Sequence, residues 1–274
     1  MTVLTRQVQR IRGPIEIGVM AFLREIGAMA MFLAATVRHI FKAPFEVQEM
    51  ILQMYQVGVR SVPIVLISGF FVGGVVVIQF NYALSLFGAE VYLGGITTSG
   101  LLREVGPVLV AIMIVGRVGA YITAELATMK VTEQVDAIRC LGVNPVQFLV
   151  VPRFLAVSAM IFMLTILGLL VALLGGALVG NLILDINLSF YFANIRKLTA
   201  AWALFTGMLK SILFGILLAT IACYQGMKTE GGAEAVGQAV NRCLVHCSIA
   251  VFLADYIIAS LAALTYGLAE EIIF

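Results

Sequence analysis

The chain has 274 residues, of which 62 % are hydrophobic and 12 % charged, and its formal net charge is +2. A soluble domain carries ~25 % charged residues, and a soluble core of this length has no room for so much apolar surface, so the surplus faces lipid. The small net charge, with no basic arm and no basic patch interleaved with aromatic residues, excludes a nucleic-acid partner.

In chain order, the opening MTVLTRQVQRIRG is positive but lacks a small-residue cleavage site after a short apolar run, so it reads as retained chain. Residues 15–41 are long enough for a membrane helix, yet Arg24-Glu25 sits inside them and Arg38, His39 and Lys42 close them. An ion pair in mid-helix is costly in hydrocarbon, which favours an amphipathic elbow helix lying in the interface over a sixth span. Residues 1–44 are therefore set apart from a membrane domain over 45–274. A spanning helix needs ~20 mostly apolar residues. Five stretches qualify, over about 62–86, 104–129, 154–184, 202–224 and 244–269. The expected fold class is an all-α polytopic membrane protein.

Orientation follows from the basic residues. Arg6, Arg10, Arg12, Arg24, Arg38, Lys42 and Arg60 precede the first span. Lys130, Arg139 and Arg153 lie between the second and third, and Lys228 and Arg242 between the fourth and fifth. The opposite loops offer Arg103, Arg196 and Lys197, so the N-terminus is expected in the cytoplasm and the acidic end, Glu270-Glu271, on the far side. Gly176 and Gly180 form a GxxxG pair, which serves packing within the chain or a homodimer interface equally well. Cys140, Cys223, Cys243 and Cys247 form no CxxC pair. The run Cys243-Leu-Val-His246-Cys247 opens an apolar segment without a second ligand cluster, so helix packing is the better reading than a metal site.

Between the second and third spans, residues 130–142 place Val131, Val135, Ile138 and Leu141 at near-helical spacing, with Glu133, Gln134, Asp136 and Arg139 on other faces. Gly142 and Asn144-Pro145 end the segment. A helix this short is not stable alone. It either rests on the membrane or docks in a groove of a cytoplasmic partner, and its acidic residues argue against anionic lipid.

Arg117, Glu125, Lys210 and Asp255 lie within or at the ends of spans, where each costs ~2.5–3.5 kcal/mol if it faces lipid. Arg117, Tyr121 and Glu125 share one helix face, and Arg117, Glu125 and Asp255 are read as structural charges. Tyr82 belongs to an interfacial aromatic belt or to a cavity wall. The chain has no protease signature and no acidic or His-Asp cluster for lipid-synthesis chemistry, so an enzyme is not expected. No metal site is expected either. A secondary carrier working alone is the rival class, but such carriers show paired halves, and none is found.

The run from Gly106, GPVLVAIMIVGRVGAYITAELATMKVTEQVDAIRCLGVNPVQFLVVPR, resembles the signature of the MlaE/YrbE permease family, above all in its EQxDA-x3-LG-x-NP pattern. The runs Gly207-Met-Leu-Lys-Ser211 and Cys223 to Gly237 agree, and the resemblance covers about Phe45 to the C-terminus. It implies the membrane subunit of a bacterial inner-membrane ABC transporter that moves phospholipid between that membrane and a periplasmic MCE-domain protein, helping to maintain outer-membrane lipid asymmetry. It implies a homodimer bound to a cytoplasmic ABC ATPase through Glu133, Gln134, Asp136, Ala137 and Arg139. It further implies an outward cavity lined by Arg103, Glu104 and Lys210, with which Tyr82 is grouped as a substrate-path candidate if it is a wall residue and not part of the belt. The chain contains no GxxxxGK[ST] motif, so ATP and magnesium are expected in the partner ATPase and no cofactor in this chain.

Overall fold

In hydrocarbon every backbone N–H and C=O must be paired inside its own segment, so long apolar runs become helices. The computed structural model describes residue 20 and residues 23–41, 46–198 and 201–273, with backbone alone at 196–198, 201 and 265–273. Every regular element among the described residues is helical, and five helical stretches are long and apolar enough to cross a membrane. Of the segment expected over 15–41, residues 23–40 are described and form α1. The rest of that segment, and the opening expected to be retained, lie outside the described residues. The chain divides into Met1–Phe45 and a compact unit, Glu46–Phe274, which holds all five spans.

The spans are longer than hydropathy alone implies. The first starts at Val47 and combines α2 (Val47–Val57), a tight turn over Val59–Ser61 and α3 (Val62–Ser85). Glu49, Gln53 and Gln56 dilute the apolar signal of α2, which is why the expected start fell at 62. Pro63 sits in the first turn of α3, where its missing N–H breaks no helical bond. The second span, Glu90–Val131, strings together α4 (Leu93–Gly100), α5 (Gly106–Ile114) and α6 (Ala120–Val131), joined by π-helical turns over Leu101–Val105 and Val115–Gly119. The Gly- and Thr-rich composition of α4 concealed it. A third π-turn, Val146–Val150, leads into α8 (Val151–Leu184). The fourth span lies in α10 (Ala201–Met227) and the fifth in α11 (Ala233–Ile273), whose polar first turns hid its true start.

Between the second and third spans stands α7 (Gln134–Cys140). The helix expected over 130–142 is shorter because Glu133, at φ 61°, takes the left-handed conformation and breaks the chain after α6. Lys130 therefore belongs to the second span. At the opposite end of the bundle lies α9 (Leu188–Leu198), which the sequence did not suggest. Its Tyr191 packs with Val77, Leu93 and Ala177, and Asn194 Nδ2 donates to the Val91 carbonyl at 2.8 Å.

The first and third spans set the frame. Contacts advance together along α3 and α8, from Gly69 against Gly168 to Gly73 against Ala172, so the helices run parallel. A Cβ on Gly73 would lie 1.9 Å from the Ala172 carbonyl oxygen, and one on Gly175 would lie 2.3 Å from that of Phe70. Only glycine permits this backbone approach, which substitutes for the missing hydrophobic drive between helices in lipid. Gly176 and Gly180 both face Val77, so the GxxxG pair is used within the chain.

Candidate functional site

Three ionic groups are built into the bundle, and the first lies among the second, fourth and fifth spans. Pro107 has no N–H to offer the carbonyl of Arg103, and the helix passes this point as a π-turn in which the Gly106 N–H bonds Leu101 instead. Leu101 and Leu102 anchor that turn against Leu169 and Ala172. On α10, Gly207 sits against it so closely that a Cβ would lie 2.0 Å from the Leu102 carbonyl oxygen. One turn further, Lys210 is only 1 % exposed, and its Nζ lies 2.5 Å from Glu104 Oε2 and 2.8 Å from Asp255 Oδ1. Glu104 is 48 % exposed, so it forms the open side of the group. Lys210 and its two carboxylates together carry a formal charge of −1.

The second group lies towards the α7 end. Arg153, 3 % exposed at the start of α8, reaches Glu125 Oε2 at 3.1 Å and Glu49 Oε1 at 3.8 Å, and its Nη1 donates to the Leu149 carbonyl at 2.8 Å. It thereby joins the first three spans. The third group centres on Arg117, on the π-turn Val115–Gly119. Its Nη1 donates to the Ser61 hydroxyl, which in turn donates to the Val57 carbonyl at 2.5 Å. Arg117 and Glu125 share a helix face but not a partner.

On α7, Asp136 accepts from Lys130 Nζ at 2.8 Å and lies 3.6 Å from Arg139 Nη1. The hydrogen bond from Lys130 holds its carboxyl below the ordinary carboxylate range. Val135 is fully buried, while Glu133, Gln134, Ala137 and Arg139 are exposed. The helix is thus pinned by one apolar and one ionic contact and presents its remaining faces outward.

Residues 50–261 match the family model described as Permease MlaE. The chain belongs to the MlaE permease family. It is 35 % identical over 240 residues to a protein of Rickettsia felis named as a probable ABC transporter permease, an alignment covering 88 % of this chain and 93 % of that one. A Synechocystis protein with the same description is 36 % identical over 231 residues, covering 84 % and 88 %. The intermembrane phospholipid transport system permease protein of Haemophilus influenzae is 34 % identical over 211 residues, covering 76 % and 80 %. The chain is thus a multi-pass ABC-transporter permease of the MlaE family.

In this MlaE-family permease, Glu104 and Lys210 meet directly, and Asp255, read from sequence as a separate structural charge, joins them. Lys210 is therefore committed to two carboxylates and is not a free cation. Tyr82 is 70 % exposed near the C-terminal end of α3 and shares no hydrogen bond or ion pair with that group. The residues missed altogether are Arg153, Glu49 and Ser61. Arg153 had passed for a loop cation because Pro152 precedes it, although Pro152 lies in the first turn of α8 and signals a helix start. Cys243 packs its Sγ 3.7 Å from the Gly119 carbonyl, at the end of the second π-turn.

Proposed function

We propose that this chain is the membrane half of an inner-membrane ABC transporter that passes phospholipid between that membrane and a periplasmic MCE-domain partner, helping to maintain outer-membrane lipid asymmetry. It works as a homodimer, with ATP and magnesium held by a cytoplasmic ABC ATPase subunit docked on α7. The N-terminus and α7 face the cytoplasm, as the Lys and Arg distribution favours, and α9 and the C-terminus face the periplasm. The name of the Haemophilus relative, an intermembrane phospholipid transport system permease, supports phospholipid as the cargo.

The observation that carries this reading is an ionic group, its cation paired twice, set in an otherwise apolar bundle with one carboxylate left open. A site that moves a lipid must admit a headgroup without holding it, and uncompensated charge at that depth would hold one too tightly. Lys210, locked between Glu104 and Asp255, cancels one of their two charges. Arg103 and the open side of Glu104 meet the headgroup, while Val75 and Ile78, exposed on α3, face the acyl chains. α7 transmits nucleotide-driven motion because it is pinned only at Val135 and Asp136 and is otherwise free to bind a groove.

Two substitutions test the two halves of this reading. Glu104→Gln is expected to lower lipid crosslinking and transport at least tenfold while the ATPase stays bound and active. The pair Glu133→Lys and Gln134→Lys is expected to abolish co-purification of the ATPase while the membrane fold is kept. Normal transport in Glu104→Gln would remove the headgroup role. Failure of any ATPase to co-purify with the wild-type chain would instead favour a carrier working alone.

A further inference from the structure

A cavity of ≈ 140 Å³ opens on the α7 side of the bundle, lined by Gln56, Arg60, Arg117, Val118 and Tyr121. Two guanidinium groups face one small space. Among the described residues, neither Arg60 nor Arg117 has a carboxylate within ion-pair distance, and the ion pairs nearby are already committed elsewhere: Glu125 and Glu49 serve Arg153. Arg117 is oriented by the Ser61 hydroxyl, and Arg60 lies over the Tyr55 ring at 5.9 Å. Both anchors are neutral, so they position the guanidiniums without cancelling their charge.

The depth is informative. A hydrocarbon core of ~20 residues centred on the second span, Glu90–Val131, ends close to residue 120. The same core centred on the first span, Val47–Ser85, begins close to residue 56. Arg60 and Arg117 therefore sit just inside the α7-side boundary, where the phosphates of one leaflet lie within reach of an arginine side chain. Like charges are not kept together at a membrane boundary without a counter-ion, and arginine matches a phosphate with paired N–H donors.

We propose that Arg60 and Arg117 form a phosphate-binding site at the α7-side membrane boundary, distinct from the Lys210 group, which takes the phosphate ester of a lipid headgroup or a water-soluble phosphate ester from the adjoining aqueous phase. The proposal rests on the membrane placement of the first two spans and not on transport, so it stands or falls independently of ATPase coupling.

The test uses the full chain in nanodiscs containing phosphatidylglycerol, with retained lipid counted by native mass spectrometry. Arg60→Gln and Arg117→Gln are each expected to lower retention about tenfold, and Arg242→Gln, an exposed cation at the same end of the bundle, is expected to leave it unchanged. Adding glycerol 3-phosphate separates the sources. Displacement of the lipid by the soluble ester assigns the site to water-soluble phosphates, and retention despite it assigns the site to the headgroup. Wild-type retention in both arginine variants, with no response to glycerol 3-phosphate, overturns the proposal. Arg60 makes only a surface contact with Tyr55, so Arg60→Gln decides the question even if Arg117→Gln fails to fold.

Discussion

Lys210 and Arg117 are cations on opposite sides of the bilayer midplane, yet the chain treats them differently. Lys210 lies a few residues from the centre of the fourth span and is closed in by Glu104 and Asp255. Arg117 lies nearer the α7-side end of the second span's core than its centre, beside Arg60, with the Ser61 hydroxyl as its hydrogen-bond partner. The first arrangement buries its cation and pairs it with carboxylates. The second leaves its charge standing and opens a cavity to it. A buried ion that cannot find a counter-ion costs several kcal/mol, so a cation kept uncompensated has either water or an anionic ligand in reach.

The comparison breaks most sharply at Lys210. Lys210→Met leaves Asp255, only 20 % exposed, without its cation, and loss of one partner of a buried ion pair costs about 3–5 kcal/mol. The expected outcome is a large fall in the thermal midpoint of the protein in detergent, with recovery when Glu104→Gln and Asp255→Asn are added. A single variant as stable as wild type would show that the pairing contributes nothing to the fold. Arg153→Met is expected to cost less, about 2 kcal/mol, because Glu49 and Glu125 are each about a third exposed and water screens them. Unfolding monitored by the same method ranks the two. Arg60→Gln is expected to change stability by no more than about 0.5 kcal/mol, since it removes like-charge repulsion together with a surface cation–π contact. A loss as large as that of Lys210→Met would mean that Arg60 supports the fold and not a ligand.

The chain's bulk properties were readable from its residues. Composition alone placed it in a membrane, and runs of apolar residues gave all five spans, because lipid imposes one rule on every backbone group. The EQxDA segment marked α7, and its bounding Gly142 marked where it ends, since a residue at φ 78° suits glycine. Span ends were not readable. Glu49, Gln53 and the Gly-Thr run of α4 look like loop residues until neighbouring helices cover them, and hydropathy has no knowledge of neighbours.

The pairing of charges was decided by tertiary structure alone. Glu104 and Lys210 are 106 residues apart, and whether Lys210 serves a ligand or a carboxylate depends on where α11 brings Asp255. Arg117 and Glu125 fall on one helix face by spacing, yet the turns of α3 and α8 give them different partners. Sequence fixes which charges enter the membrane because transfer from water depends on each residue by itself. It leaves their compensation open because Coulomb interactions depend on distances between spans, and those distances are set by where Gly73, Gly175 and Gly207 let backbones meet.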